Sequence, residues 1–210
     1  VILRGGYLAN NDAGWSAIDP IQVAIGASPS LGDNQAVHAV MMFSDFECQF
    51  AESPQMGSYL GPIGIVDRGQ LRLVFKHYPI DRLHASARRL ARLSACASLQ
   101  NDPWDVHTLL YQASPASAVT AESLSTSLKL DSQKLDQCAA GLGRDIVDQD
   151  IEDARKPGVF STPTFVVGTV KNDVLEAQPG YLVPWLRQSS RRAFDNAKRQ
   201  VIWLEVVRFV

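Results

Sequence analysis

The chain has 210 residues, of which 46% are hydrophobic and 20% charged, and its formal net charge is -2 at pH 7. These values are ordinary for a globular protein, and they give no basic surplus of the kind that binds nucleic acid or an acidic membrane surface. No run approaches the roughly 18 consecutive apolar residues that a membrane-spanning helix needs, so the sequence predicts no membrane span.

The first part of the chain is rich in Gly, Asn, Asp, Ser and Pro. Residues 1–35 therefore predict an extended N-terminal arm, with one candidate strand in the apolar run IQVAI. The next run, AVHAVMMF (36–43), is mostly apolar and has the length of a strand that is buried on both faces. A second strand of similar character is predicted at LRLVF (71–75).

From residue 83 to about residue 155 the pattern becomes helical. In LHASARRLARLSACASL, apolar or small residues starting at Leu83 recur mainly at three- and four-residue steps, and arginines cluster off that stripe. Further helices are predicted at PWDVHTLLYQ with Asp102 as N-cap, at TAESLSTSLK with Thr120 as N-cap, at DSQKLDQCAAGL with Asp131 as N-cap, and from Arg144 to Arg155.

Strand character returns at STPTFVVG (161–168), and KNDVLEA predicts a turn followed by a short partner strand. The segment YLVPWLRQSSRRAFDNAKRQ is amphipathic and basic on one side, which indicates a closing helix kinked at Pro184. The last ten residues, 201–210, fit a strand or a helix equally well. Strands that alternate with helices, and then a hairpin, predict the α/β class with a mixed sheet.

Five segments, in this order and at similar spacing, resemble the DsbA-like branch of the thioredoxin superfamily: VHAVMMFSDFECQF, LRLVFKHYPI, HASARRLARLSACA, PWDVHTLLYQ and GVFSTPTFVVG. The resemblance implies a thioredoxin fold in two halves, at 36–82 and 156–200, with a helical domain inserted at 83–155 and a C-terminal extension at 201–210. It also implies thiol-disulfide exchange, without a cofactor, on protein or peptide thiols outside the cytoplasm, in the periplasm or cell envelope. A redox partner that reoxidises or reduces the protein is expected with it.

Cys48 stands at the predicted junction of the first buried strand and a helix. At the first turn of a helix, unpaired backbone N–H groups and the helix dipole favour the thiolate, which is the form that attacks a disulfide. The local sequence alone leaves the role of Cys48 open, and the resemblance, through the distal TPTF, implies that Cys48 is the catalytic nucleophile. The alternative is a buried cysteine that packs as a small hydrophobic residue.

Members of the family typically have Cys-x-x-Cys, whereas Cys48, Gln49 and Phe50 are followed here by Ala51. Alanine cannot supply the second thiolate, which attacks a mixed disulfide and releases the substrate, so turnover is predicted to be impaired. Ala51 is either a natural single-cysteine variant or an engineered Cys→Ala change, and both interpretations stay open. The alternative function is a redox-silent peptide-binding or chaperone module.

The resemblance also implies substrate-binding residues around the thiol. A cis-proline is expected at Pro163, with the backbone of Thr162 offered to an extended substrate, as in strand pairing. A trans-proline that opens an edge strand is the alternative. The predicted substrate-binding set is Gln49, Phe50, Thr162 and Pro163.

The other two cysteines, Cys96 and Cys138, lie in the helical stretch, and by likeness to some family members they form a structural disulfide. Two buried free thiols are the alternative, and a disulfide would indicate an oxidising compartment. Asp45 and Glu47 flank Cys48, either as proton relays or as solvated charges. The histidines show no metal-ligand spacing with the cysteines, so no metal is predicted.

Overall fold

The computed structural model describes residues 21–48, 71–113, 115–177 and 182–184. Strands in these ranges are β1 Ile21–Ala24, β2 Ser30–Leu31, β3 His38–Ser44, β4 Leu71–His77, β5 Thr164–Lys171, β6 Val174–Ala177 and β7 Leu182–Pro184. Helices in these ranges are α1 Ala87–Ala97, α2 Pro103–Gln112, α3 Ala121–Leu128, α4 Ser132–Ala140 and α5 Leu142–Arg155, with a 3-10 turn at Ala116–Ala118.

The strands form one mixed sheet in the order β1-β6-β5-β3-β4-β2, and β7 pairs with β5 beside this path. At the centre, β3 runs parallel to β4 and antiparallel to β5. The predicted α/β class with a mixed sheet is confirmed. The parallel pair is consistent with a crossover between β3 and β4, because parallel neighbours cannot be joined by a tight turn.

The central strand β3 is buried on both faces, as its apolar sequence predicts. Val40 and Met42 belong to a core that also contains residues of α1 to α4, whereas Ala39, Met41 and Phe43 belong to a second core with β1, β6 and α5. This alternation follows from the two-residue period of strand side chains. The sheet therefore has one hydrophobic core on each side.

The helix starts follow local capping chemistry. The side chain of Asp102 accepts from the backbone N–H of Trp104, and that of Asp131 accepts from the backbone N–H of Lys134. Thr120 forms a capping box with Ser123 at the start of α3. All three predicted N-caps are therefore confirmed. Each accepts a hydrogen bond from a backbone N–H group that lacks a partner within the helix.

Two of the predicted helices begin at different residues in the structure. The first helix begins at Ala87, and Leu83 precedes it with 67% of its surface exposed, so Leu83 is not part of the buried stripe. Residues 80–84 form turns instead, in which the backbone N–H groups of Leu83 and His84 both donate to the carbonyl of Ile80. The last helix begins at Leu142, two residues before the predicted start.

A disulfide joins Cys96 of α1 to Cys138 of α4, which confirms the pairing implied by the resemblance. Gly143 packs against it: a Cβ atom at this position would lie 2.7 Å from Cys96 Sγ and 3.0 Å from the carbonyl oxygen of Arg92. Glycine at 143 therefore permits the close approach of α5 to α1.

At the ends of the chain, one prediction is incomplete and one is wrong. The predicted strand at IQVAI is confirmed as β1, and Ser30–Leu31 forms a second strand in the same arm, paired with β4. Leu182–Pro184 is not helical but forms β7, in which Pro184 is paired with Thr164. Proline fits there because, within the described ranges, β7 pairs with β5 alone, so one side of the strand needs no donor. Residues 1–20, 185–200 and 201–210, with the rest of the expected closing helix, lie outside the described residues.

Candidate active site

Cys48 follows β3 in a tight turn that runs from Asp45 to Cys48. The backbone N–H of Cys48 donates to the carbonyl oxygen of Asp45 at 3.0 Å, which closes the turn. Cys48 is a free thiol and is buried, with 5% of its surface exposed. The neighbouring predicted site residues Gln49, Phe50 and Ala51, and the helix expected after Cys48, lie outside the described residues.

The thiol of Cys48 lies against the loop that precedes β5. Its Sγ donates to the carbonyl oxygen of Thr162 at 3.3 Å, and the Thr162–Pro163 peptide bond is cis. Antiparallel pairing of β3 with β5 produces this contact, because the register places Phe43 opposite Thr164 and so brings the two strand ends together. The structure thus brings together three residues that the sequence singled out separately: Cys48, Thr162 and Pro163.

Asp45 is a buried carboxylate that accepts three hydrogen bonds. Its Oδ1 accepts from the backbone N–H of Glu47 at 2.9 Å, and its Oδ2 accepts from the backbone N–H of Ile80 at 2.8 Å. The same Oδ2 lies 2.8 Å from Nδ1 of His84, whose side chain is 23% exposed. The alternative of a solvated charge is therefore wrong for Asp45, which is 2% exposed.

The Cys48 turn has further contacts with the loop before α1. Glu47 accepts from the backbone N–H of Ser86 at 2.7 Å through its Oε2 atom. The backbone N–H of Tyr78 donates to the carbonyl of Ser44 at 2.8 Å. Sequence reasoning missed these partners because nothing local links residues 44–48 to a loop more than 30 positions away.

An aromatic cluster packs beside the turn. The Phe46 ring lies 4.8 Å from the ring of Tyr111 and 5.9 Å from that of His107, both from α2. The Tyr111 hydroxyl shares a 2.7 Å hydrogen bond with Ser44 Oγ, and burial raises the pKa of Tyr111, so this hydroxyl stays protonated. Burial, with a smaller contribution from His77, lowers the pKa of His107 to about 4.

A buried group of charges lies next to the cluster, where β4 meets α5. Lys76 Nζ lies 3.1 Å from an oxygen of Asp150 and 3.0 Å from one of Asp153, and all three side chains are almost fully buried. His77 Nδ1 lies 2.8 Å from the other oxygen of Asp150. Burial disfavours ionisation of Asp153, but hydrogen bonds from Lys156 and Lys76 outweigh it and keep the pKa of Asp153 below its ordinary value.

Sequence reasoning did not identify these buried charges, although a signal was present. Gly143, Val147, Asp150 and Ala154 are spaced by four, three and four residues, so Asp150 falls on the buried stripe of α5. A carboxylate on such a stripe requires a buried partner. Among the described residues, no group of three or more His, Cys, Asp or Glu side chains could hold a metal ion. In the same ranges, no helix is both long and apolar enough to cross a membrane.

The family described as Thioredoxin matches residues 25–178. Among solved structures, Wolbachia pipientis alpha-DsbA1 is similar with a TM-score of 0.65 and 17% identity, over 88% of this chain and 96% of that one. Pseudomonas aeruginosa DsbA2 is similar with a TM-score of 0.56 and 23% identity, over 83% and 96% of the two chains. Bacillus subtilis BdbD gives a TM-score of 0.56 at 23% identity, over 74% and 91%.

Two curated relatives match by sequence. Na(+)/H(+) antiporter NhaA 3 of Salinispora tropica is 30% identical over an alignment of 143 residues, and the match covers 65% of this chain and 21% of that protein. Na(+)/H(+) antiporter NhaA 1 of Mycolicibacterium vanbaalenii is 25% identical over an alignment of 186 residues, and the match covers 80% of this chain and 26% of that protein. The match therefore spans about a quarter or less of each curated relative.

Proposed function

The chain belongs to the thioredoxin family and has the fold of DsbA proteins, and from this we propose that it is a DsbA-like thiol-disulfide oxidoreductase. Its substrates are protein or peptide thiols and disulfides. The observation that carries the proposal is the contact between Cys48 Sγ and the carbonyl oxygen of Thr162, next to Pro163. This contact puts the free thiol beside a loop whose backbone an extended peptide can follow.

The proposed reaction begins with loss of the Cys48 proton to solvent. The thiolate attacks one sulfur of a substrate disulfide, forms a new S–S bond to it and displaces the other sulfur as a thiolate. Electrons balance within this exchange, so no cofactor is required. Thr162, Pro163, Gln49 and Phe50 are the proposed substrate-binding residues.

Ala51 determines the fate of the mixed disulfide. Without a thiol at this position, the mixed disulfide persists until an outside thiol attacks it, so turnover depends on a second reactant. This holds whether Ala51 is native or replaces a cysteine. A redox partner that supplies or accepts the electrons belongs to the proposal.

We place the activity outside the cytoplasm, in the periplasm or cell envelope. The Cys96–Cys138 disulfide supports this compartment, because such bonds persist in oxidising surroundings. The proposed domains are a thioredoxin-like domain at 36–82 and 156–200, interrupted by a helical domain at 83–155. The antiporter activity in the names of the curated relatives is not part of the proposal, which concerns only the stretch that the chain shares with them.

A second candidate is a redox-silent module that binds peptides without exchanging disulfides. Ala51 favours it, and so does the small exposed fraction of Cys48, 5%, because a buried thiol meets fewer reactants. The two candidates differ in whether Cys48 forms a covalent bond with the peptide.

The Ala51→Cys variant tests the proposed enzyme. With both thiols present, it is expected to carry disulfides from an oxidised model peptide to a reduced one through many cycles, whereas the unchanged chain accumulates as the mixed disulfide. The matched control is Cys48→Ser together with Ala51→Cys, which keeps one thiol but removes the nucleophile. The proposal fails if the Ala51→Cys variant exchanges nothing and Cys48 is alkylated no faster than a free cysteine.

A further inference from the structure

The conformation of the Cys48 turn depends on Asp45 through two separate connections. The carbonyl oxygen of Asp45 accepts from the backbone N–H of Cys48, and its buried carboxylate accepts three hydrogen bonds. A displacement of Asp45 therefore passes directly to the backbone that carries the thiol.

Of the three donors to the Asp45 carboxylate, two are backbone N–H groups, from Glu47 and Ile80. The third donor is a side chain, His84, whose Nδ1 lies 2.8 Å from Oδ2. Its removal would leave Oδ2 with the Ile80 N–H as its remaining donor, and the loss of a hydrogen bond to a buried carboxylate is costly. Asp45 would then be held less firmly, and the turn that it closes with Cys48 would shift more readily.

We propose that His84 is a positioning residue for Cys48 and that it acts through Asp45. The inference rests on the proposed function, in which Cys48 is the nucleophile. His84 holds the carboxylate of Asp45 in place, Asp45 holds the Cys48 backbone, and the thiol is thereby kept against Thr162. The residue is thus part of the support of the site rather than a group that touches the substrate.

The test compares three single variants with the original chain. His84→Ala removes the donor, His84→Asn keeps a side-chain N–H on a similarly short stem, and Arg88→Gln is the matched control. Arg88 lies four residues further on and forms exposed ion pairs with Asp81 and Asp148, so its loss perturbs the same region without touching Asp45.

Two readouts are followed under conditions in which every variant is folded. The first is the hydrogen-exchange rate of the Cys48 amide, which reports on its bond to Asp45 without any thiol chemistry. The second is the rate at which Cys48 forms a mixed disulfide with a peptide disulfide. His84→Ala is expected to speed the exchange of the Cys48 amide and to change the rate of mixed-disulfide formation by on the order of tenfold. His84→Asn is expected to bring both rates most of the way back to those of the original chain.

The inference is overturned if His84→Ala leaves the exchange of the Cys48 amide unchanged, or if Arg88→Gln has the same effects. Failure of the proposed function gives a different result. In that case the original chain forms no mixed disulfide at all, while the amide exchange still shows whether His84 positions Cys48.

Discussion

The thiol of Cys48 donates to the carbonyl oxygen of Thr162, 3.3 Å away in space and 114 positions later in the chain. No local turn or helix could bring two residues so far apart in the chain into contact. The contact exists because β5 pairs with β3 in a register that aligns the end of one strand with the start of the other. Pairing in the sheet, rather than a local motif, thus assembles the candidate site.

The stability of the chain is expected to fall between about pH 7 and pH 4 because of His107. Burial lowers its pKa to about 4 in the folded chain, from the ordinary value of 6.5, so between these values the unfolded chain binds a proton that the folded chain does not. The free energy of unfolding should therefore decrease by up to about 3 kcal/mol as the pH drops to 4.

Urea unfolding at several pH values checks this expectation, with His107→Phe as the comparison. Phenylalanine retains an aromatic ring among Phe46, Phe75 and Tyr111 but does not titrate. Its stability profile should be flatter over the same interval. Parallel profiles for both proteins would contradict the assignment to His107.

Replacement of Lys76 by methionine is expected to destabilise the fold by about 3 kcal/mol or more, because Asp150 and Asp153 would lose a shared buried cation. Arg155→Gln is the control. Arg155 and Glu152 form an exposed pair, which should contribute less than about 1 kcal/mol. Equal losses of unfolding free energy in the two variants would show that the buried charges stabilise the fold no more than an exposed ion pair does.

The contact of Gly143 with the disulfide gives a steric prediction. In Gly143→Ala, the new methyl group would clash with Cys96 Sγ and the Arg92 carbonyl, and the unfolding free energy should fall by about 1–3 kcal/mol. At Gly141 a Cβ atom meets only the Gln137 carbonyl, at 3.7 Å, so Gly141→Ala should cost less. Equal Tm values for the two variants would refute the prediction.

Features that depend on neighbouring residues were predictable from the sequence. The caps at Asp102, Thr120 and Asp131 involve N–H groups two or three residues away, so the local sequence already contains both partners. The buried strand β3 was predictable for a similar reason, since an uninterrupted apolar run needs two cores to cover it.

Features that depend on distant partners were not predictable. Ser30–Leu31 is a strand only because β4 offers an edge to it, and Leu182–Pro184 pairs with β5 although its sequence suggests a helix. The environment of Asp45 is a similar case, because its partners Ile80 and His84 lie 35 and 39 positions away. Cys48 itself was identified from the resemblance, but its contact with Thr162 depends on the sheet register.

The central claim is that Cys48 attacks disulfides, and mass spectrometry of the intact chain after incubation with a peptide disulfide tests it most directly. Cys96 and Cys138 are bonded to each other, so one adduct per chain is expected, located at Cys48 and released by a reductant. Cys48→Ser should form none. A chain that acquires no adduct, or an adduct that persists in Cys48→Ser, would contradict the account.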